Sequence, residues 1–249
     1  MRASRSCIIV EGMPSWNVDV KDLLTPARRR GIEILDDPGV SVAIMRRSMR
    51  DVERANALLG GRRAVIAELR EIFPRLGASA TMLDVGTARG DIPTAARFVA
   101  AEMGLTLRTI GVDISEALLS ADGAGNDAVV RGDAMRLPIA DASVDVVVAS
   151  QLLHHFPADQ ACLVVSELNR VARRAVVVSD LRRSLVAAAG LWMGSFPLGF
   201  HPVSRHDGVV SVMRGFIPRE LADIVEKALG HRPVVRRRLG FRLTATWMP

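Results

Sequence analysis

The sequence predicts a doubly wound α/β fold with a mostly parallel sheet of seven strands, on two observations. After about residue 80, short continuous apolar runs alternate with segments of helical periodicity, which is typical of parallel strands that helices cover on both faces. Near the end of the chain, residues 241–247 alternate between apolar and polar side chains, and this period of two indicates a half-buried strand. We therefore expect an antiparallel C-terminal edge strand on an otherwise parallel sheet.

The order of the elements along the chain supports the parallel arrangement, because strands and helices follow each other in turn. The apolar runs predict strands at 81–85, 107–112, 128–130, 144–149 and 175–179. Helical spacing predicts helices at 92–103, 116–121 and 159–172. We expect a further helix, Pro218–Leu229, to stop at Gly230 and to precede two closing strands, Val234–Arg238 and 241–247.

The residues before the first predicted strand have a different character. Apolar residues recur near helical spacing through 40–59, and the pattern resumes at 62–73 after two glycines. We predict a tail at residues 1–15, an N-terminal helical lid at 16–76 and a main domain at 77–249. Within the main domain, we expect residues 182–217 to form a loop insertion after the fifth strand.

The composition argues against several classes of protein. The net charge of +6 permits a nucleic-acid partner, but the basic residues are scattered and are not interleaved with aromatic residues, so we expect none. Cys7 and Cys162 are too few for a disulfide framework, and no Cys/His cluster indicates a metal. This cysteine usage fits a cytoplasmic protein without a bound metal. No apolar run approaches the roughly 20 residues that span a bilayer, so we expect no membrane partner.

A glycine-rich turn between the first strand and its helix is the strongest candidate for a binding site. It comprises Asp84, Gly86, Thr87, Ala88 and Gly90. Glycines let a ligand approach the backbone closely, and the N-terminus of the following helix offers free N–H groups. A tight strand-to-helix connection also needs small residues, so a purely structural turn remains an alternative for this segment alone.

Two further acids end the next two strands. Asp113 is placed to accept hydrogen bonds from both hydroxyls of a ribose, and Asp133 from an adenine amino group. Either acid alone could instead be a turn residue or a helix cap. Carboxylates at Asp84 and Asp91 suit a cofactor that carries an ammonium group better than the diphosphate of NAD.

These residues resemble the class I S-adenosylmethionine-dependent methyltransferases, specifically the group with the ubiquinone and menaquinone biosynthesis enzymes and many natural-product methyltransferases. The resemblance covers residues 80–180, and Ala88 replaces the middle glycine of the family's acid-GxGxG motif. It implies a Rossmann-like fold, S-adenosylmethionine as the methyl donor and S-adenosylhomocysteine as the product. The candidate cofactor-binding residues are Asp84, Gly86, Thr87, Ala88, Gly90, Asp113, Ile114, Asp133, Ala134, Ser150 and Gln151.

Three histidines are candidates for the base that would remove a proton from a methyl acceptor. His154 and His155 follow the fourth strand, where the acceptor must lie, and imidazole is the natural base near neutral pH. His155 could instead orient the following loop. His206 stands beside Asp207 in the predicted insertion, as an oriented base or as a turn residue.

The acceptor pocket is expected to be apolar. Its candidate lining residues, which could equally be plain core, are Met45, Met49, Trp192, Met193, Phe196, Leu198 and Phe200. Arg182 and Arg183 could bind an acidic group on the acceptor.

We predict a methyltransferase for a small, aromatic or polyketide-like acceptor, with O-methylation favoured. The alternatives are C-methylation of a quinone precursor and a non-methylating protein that binds S-adenosylmethionine. The sequence leaves open whether the chain forms a homodimer.

Overall fold

The computed structural model describes residues 24–37, 39–116 and 125–249. The predicted tail at 1–15 and the first part of the predicted lid therefore lie outside the described residues. The same holds for the short helix predicted at 116–121, apart from its first residue.

A seven-stranded sheet forms the centre of the molecule, in the order β3-β2-β1-β4-β5-β7-β6. The first five strands are parallel to their neighbours, β7 is antiparallel to β5, and β6 pairs antiparallel with β7. The predicted fold class is thus confirmed, and the one reversed strand, β7, lies one place inside the edge strand β6. The strands are β1 (Ser79–Val85), β2 (Thr106–Asp113), β3 (Ala128–Arg131), β4 (Val144–Ser150), β5 (Ala172–Leu181), β6 (Val234–Arg238) and β7 (Arg242–Trp247).

Helices cover both faces of the sheet. One apolar core lies between the sheet and α2 with α3, and a second lies between the sheet and α4 with α7. None of the helices that the structure describes is both long and apolar enough to cross a membrane. The described α-helices are α1 (Val42–Leu58), α2 (Gly61–Ile72), α3 (Asp91–Glu102), α4 (Ala158–Val171), α5 (Leu185–Gly194), α6 (Pro202–Arg214) and α7 (Pro218–Leu229).

Helix α2 belongs to the layer that covers the sheet. Val65 and Leu69 of α2 are fully buried in the core beneath it. The buried carboxylate of Glu68 accepts hydrogen bonds from Arg236 and Arg238 on β6. Because this network ties α2 to the C-terminal hairpin, the part of residues 16–76 that could move as a lid lies before Gly60. The domain boundary at residue 76 stays a prediction.

The expectation of a loop at 182–217 is wrong, because two helices, α5 and α6, occupy most of that range. The Ser184 side chain accepts a hydrogen bond from the backbone N–H of Ala187 and so caps α5. Pro202 occupies the first turn of α6, where its missing N–H is not needed. Helix α5 was missed because it is apolar nearly all round, which hides a helical period.

Candidate functional site

A cavity of about 850 Å³ opens at the carboxyl ends of the parallel strands. Open α/β sheets bind ligands just outside this edge, and the volume is in the range of small-molecule sites. Residues of α1, α5 and α6 and of the segment 33–36 line the side of the cavity opposite the sheet. We call residues 24–37 the N-terminal segment.

The glycine-rich turn adopts a left-handed backbone at three positions. Gly86 has φ 74°, Ala88 has φ 45° and Gly90 has φ 72°. Positive φ is strained for alanine, which explains why the family motif has glycine at this place. The backbone N–H of Ala88 donates to Oδ2 of Asp113 over 3.0 Å and so ties the turn to the end of β2.

Ten of the eleven predicted cofactor-binding residues line the cavity, and Gly90 does not. Gly90 instead caps the N-terminus of α3. An added Cβ there would lie 2.7 Å from the Cα of Gly125, so only glycine fits. The predicted stretch thus lines the cavity, and its binding role stays a prediction, whereas Gly90 serves backbone packing.

We call the end of the cavity at β1 and β2 the cofactor end and the end at His154 the acceptor end, after the ligands predicted there. The cofactor end concentrates acidic side chains. Burial, together with the charges of Asp91 and Asp113, raises the pKa of Asp84 to about 8, against a hydrogen bond from Thr87 that lowers it. Burial and then the charge of Glu53 raise the pKa of Asp91. Among the described residues, Oδ2 of Asp91 is buried without a hydrogen-bond partner. An ammonium group of a ligand would stabilise these carboxylates in their charged form.

The acids that end β2 and follow β3 keep acceptor capacity for a ligand. Oδ1 of Asp113 accepts from the backbone N–H of Ser115 over 2.9 Å. Oδ1 of Asp133 accepts from the backbone N–H of Met135, also over 2.9 Å. A carboxylate has about four lone-pair sites, so these bonds fix each group in place and leave sites for hydroxyl or amino donors.

His154 lies in a buried pair with an acid at the end of β5. Its Nδ1 is 2.7 Å from Oδ1 of Asp180, and its backbone N–H donates to Oδ2 over 3.1 Å. Burial lowers the pKa of His154, against the opposing charge of Asp180. For Asp180, hydrogen bonds and the histidine outweigh burial, so its pKa is also lowered. The pair is therefore a neutral imidazole that donates Nδ1–H to a carboxylate. Its Nε2 is buried without a partner among the described residues.

His155 also lines the cavity but has charged neighbours. Its Nδ1 lies 3.7 Å from Oδ1 of Asp36 and 3.8 Å from Oε2 of Glu33. Burial opposes a charge on His155, but the two acids outweigh it, so the pKa of His155 is raised. The guanidinium of Arg214 lies between the acids, 3.1 Å from Glu33 and 2.8 Å from Asp36. His155 thus helps to hold the N-terminal segment, which agrees with the orienting role considered for it.

The same place offers three ligand atoms of Glu33, His154 and His155 within 4.8 Å of one another. Arg214 approaches two of these residues, with Nη1 3.1 Å from Oε1 of Glu33 and 3.4 Å from Nδ1 of His155. A guanidinium therefore already supplies positive charge there. The absence of a metal stays a prediction.

The structure does not bring His206 to the cavity. It lies on the half-exposed side of α6, with Nδ1 2.8 Å from Oδ1 of Asp207. Asp207 does line the cavity, and its carboxylate accepts from the backbone N–H groups of Ile34 and Leu35. The acid of this His-Asp pair therefore anchors the N-terminal segment, and the histidine faces away from the site.

The predicted apolar lining is correct in part. Met45, Met49 and Phe200 line the cavity, whereas Trp192, Met193 and Phe196 are about half exposed on the outer side of the insertion. Leu198 does not line it either. Closeness in sequence suggested that all of these residues face one pocket. Trp192 and Met193, however, lie on the outward side of α5, and Phe196 and Leu198 lie beyond its end. The inward residues of α5 are Val186, Ala187, Gly190 and Leu191.

Neither arginine proposed for an acidic group lines the cavity. Arg183 is buried and pairs with both carboxylate oxygens of Glu220. Arg182 lies over the ring of Phe241. Two residues of the site were not predicted from the sequence. Arg242 lines the cavity, and Asp180 supports it through its contact with His154. Asp180 ends β5 as Asp113 ends β2, so the same rule could have found it.

Comparisons with known proteins bear on the matched part of the chain and on the fold. Residues 83–178 match a protein family described as a methyltransferase domain. No curated protein matches the chain. The chain is similar to magnesium protoporphyrin IX methyltransferase from Synechocystis PCC 6803 with bound SAH, with 18% identity over 85% of this chain and 89% of that chain and a TM-score of 0.51.

A second similar structure comes from the Haloferax volcanii complex between the Trm112 methyltransferase activator and a methyltransferase. The identity is 12% over 84% of this chain and 98% of that chain, with a TM-score of 0.52. At such identities the likeness shows the fold. Residues 83–178 therefore carry a methyltransferase domain, and the sheet around them has the Rossmann-like methyltransferase fold. The match and the fold agree with the S-adenosylmethionine-dependent methyltransferase that the motifs predicted.

Proposed function

We propose that the enzyme methylates a hydroxyl of a small, flat and largely apolar acceptor, aromatic or polyketide-like. The observation that carries this proposal is the buried pair of His154 and Asp180. Its Nδ1–H is held by the carboxylate, so the lone pair is on Nε2, which has no partner among the described residues. Such a nitrogen is suited to accept the proton of an acceptor hydroxyl.

The cofactor-binding residues are part of the proposal. Asp113 binds the ribose hydroxyls and Asp133 the adenine amino group, while Asp84 and Asp91 pair with the ammonium group. The turn at Gly86 and Ala88 follows the backbone of the ligand, and Ile114 and Ala134 pack against the adenine. Ser150 and Gln151 lie at the end of β4, where the cofactor and acceptor ends of the cavity meet.

The chain's contribution to chemistry is orientation and proton removal. S-adenosylmethionine, when bound, supplies an electrophilic methyl group for in-line displacement. His154 accepts the hydroxyl proton at Nε2, and the Asp180 carboxylate stabilises the imidazolium that results. Orientation of the acceptor contributes up to roughly 7–11 kcal/mol to such reactions. Met45, Met49 and Leu191 provide the apolar surface for it.

The alternatives make different products. In C-methylation of a quinone precursor, the same Nε2 would remove a proton from the ring carbon after methyl transfer. A non-methylating protein would bind S-adenosylmethionine and release no product. A small-molecule acceptor, a cytoplasmic location and the absence of a nucleic-acid partner belong to the proposal as well, and a homodimer remains open.

The test has two stages. Calorimetry with S-adenosylhomocysteine comes first, and a lack of binding by folded protein contradicts the whole proposal. Incubation of the enzyme with S-adenosylmethionine and a panel of phenols and naphthols follows, with mass spectrometry and NMR of the products. An ether product that disappears in His154→Gln supports O-methylation, a ring-methylated product supports the C-methylation alternative, and binding without any product favours the non-methylating one.

A further inference from the structure

Arg242 is a buried arginine at the acceptor end of the cavity. It begins β7, opposite Leu181 of β5, and lines the cavity with only 3% of its surface exposed. Nη1 donates to Oε1 of Gln151 over 2.8 Å. Among the described residues, Nε is buried without a partner, and the hydrogen bond of the guanidinium is the one from Nη1 to Gln151. Burial lowers the pKa of Arg242 to about 10, against the opposing charge of Asp180, so it remains charged at neutral pH.

The two other buried arginines of this half of the molecule have ion-pair partners. Arg183 forms its pair with Glu220, and Arg214 pairs with Glu33 and Asp36. No described carboxylate forms an ion pair with Arg242. The charge of Asp180 acts on Arg242 without a direct ion pair. Because a buried guanidinium with unused donors is unfavourable, the exception among the three indicates that a ligand supplies a direct anionic partner.

Three acids that line or support the cavity form no ion pair with Arg242, and each accepts hydrogen bonds from other groups. Asp180 accepts from His154 and from the backbone of Leu181. Asp207 accepts from the N-terminal segment. Asp51, also at the cavity, accepts from the backbone of His201 and from the Ser204 hydroxyl.

The neighbouring Gln151 fixes the direction of the free side of the guanidinium. Its amide nitrogen donates to Asn56 of α1 and its oxygen accepts from Arg242. The backbone of Gln151 is left-handed at φ 54°, a strained conformation that is typical of functional sites. Because Nη1 is held in this way, Nε and Nη2 remain as a parallel pair of donors, the arrangement that binds both oxygens of a carboxylate.

The position of Arg242 favours the acceptor over the cofactor as the source of the carboxylate. Three strand-to-strand steps separate β7 from β1 in the sheet, which corresponds to about 14 Å at 4.7–4.9 Å per step. Of the acids proposed to bind the cofactor, Asp84 lies on β1 and Asp113 on β2, while Asp91 begins α3 and Asp133 follows β3. His154 follows β4, and its partner Asp180 lies on β5 beside β7, so base and guanidinium share the same end.

We propose that Arg242 binds a carboxylate of the methyl acceptor, so that the substrate is an aromatic hydroxy acid. The carboxylate pairs with Nε and Nη2 of Arg242, and a hydroxyl of the same molecule donates its proton to Nε2 of His154. This inference rests on the proposed function, because it places the acceptor beside His154.

Two probes that differ only in the carboxylate, 3-hydroxy-2-naphthoate and 2-naphthol, test the proposal by calorimetry on enzyme saturated with S-adenosylhomocysteine. We expect the wild type to prefer the acid. In Arg242→Met, affinity for the acid falls by about 10- to 150-fold, as for the loss of hydrogen bonds to a charged group. Affinity for 2-naphthol and for S-adenosylhomocysteine stays within about twofold, and Arg242→Lys restores part of the preference because it keeps one point charge.

A benzoate titration followed by thermal unfolding covers the case in which neither naphthalene fits. Benzoate should stabilise the wild type and the control Arg182→Met, and should not stabilise Arg242→Met. The melting temperature of Arg242→Met without ligand should be unchanged or higher, because the variant removes an unpaired buried charge.

Several results would overturn the inference. They are equal benzoate responses in wild type and Arg242→Met, a marked loss of stability in Arg242→Met that indicates a structural role, and a loss of S-adenosylhomocysteine affinity that assigns the cofactor's carboxylate to Arg242. A methyl ester as product would overturn it too, because the carboxylate would then lie at the methyl group. Failure of wild type to bind S-adenosylhomocysteine contradicts the proposed function instead.

Discussion

The two ends of the cavity are built in different ways. At the cofactor end, one strand, its turn and its helix provide Asp84, Gly86 and Ala88, and the next strand adds Asp113. Much of that site depends on backbone conformation. At the acceptor end, the side chains come from the N-terminal segment, α1, the end of β4, α5, α6 and β7. There, side-chain pairs between distant segments define the geometry.

The two ends also differ in how much of each lies inside the matched domain. The matched family covers residues 83–178, which contain the strand ends of the cofactor end and the two adjacent histidines. Arg214 and Arg242 lie beyond that range, and Glu33 and Asp36 lie before it. In the proposed function, the residues that bind the cofactor thus lie mostly inside the matched range, and several residues of the acceptor end lie outside it.

The largest effect is expected for the base. His154→Gln should lower kcat by about 10²- to 10⁴-fold, the usual contribution of a positioned acid or base, and leave the affinity for S-adenosylhomocysteine unchanged. Because burial lowers the pKa of His154 below 6.5, kcat of the wild type should be flat above that pH. His206→Gln is the matched control and should change kcat less than twofold. If His206→Gln lost activity and His154→Gln did not, the base would instead be His206 on α6.

A smaller effect is expected for the cofactor end. Asp113→Asn keeps the shape of the side chain but removes the charge that would accept from ribose hydroxyls. Affinity for S-adenosylhomocysteine should fall by about 10- to 150-fold, equivalent to roughly 1.5–3 kcal/mol. Equilibrium binding by calorimetry measures it. If a folded Asp113→Asn variant bound S-adenosylhomocysteine as tightly as the wild type, Asp113 would not contact the cofactor.

The sequence was sufficient for the sheet because its signals are local. Apolar runs and the period of two located every described strand within about three residues, and the acids predicted at strand ends line the cavity. It could not predict the acceptor end, where Asp36 meets Arg214 across 178 positions of sequence. The adjacent residues His206 and Asp207 predicted an oriented base. In the structure, only Asp207 lines the cavity, because the two side chains point in different directions from α6.

Asp207 anchors the N-terminal segment beside the cavity. Its carboxylate accepts from Ile34 over 2.8 Å and from Leu35 over 2.9 Å. Asp207→Asn places an amide donor against one of these N–H groups, which should weaken the contact by about 1–3 kcal/mol. Faster limited proteolysis after Arg28, Arg29 or Arg30 would measure the release of the N-terminal segment. The affinity for S-adenosylhomocysteine should not change, and equal cleavage of variant and wild type would contradict this function of Asp207.

The smallest effect is a difference in pH dependence between the two adjacent histidines. The pKa of His155 is raised above 6.5 by Asp36 and Glu33 against burial. Its contribution to stability is therefore fully present below about pH 6.5 and is lost as pH rises through the raised pKa. The melting temperature of wild type should exceed that of His155→Gln most at pH 6 and least at pH 9.

His154 should show the opposite trend, because its folded pKa lies below 6.5. Protonation then favours the unfolded chain, so wild type should lose stability relative to His154→Gln as pH falls below that value. Melting curves of the three proteins from pH 5 to pH 9 measure both differences. If both variants followed the same trend, Glu33 and Asp36 would not distinguish the two rings, and the assignment of one histidine to proton transfer and the other to the N-terminal segment would fail.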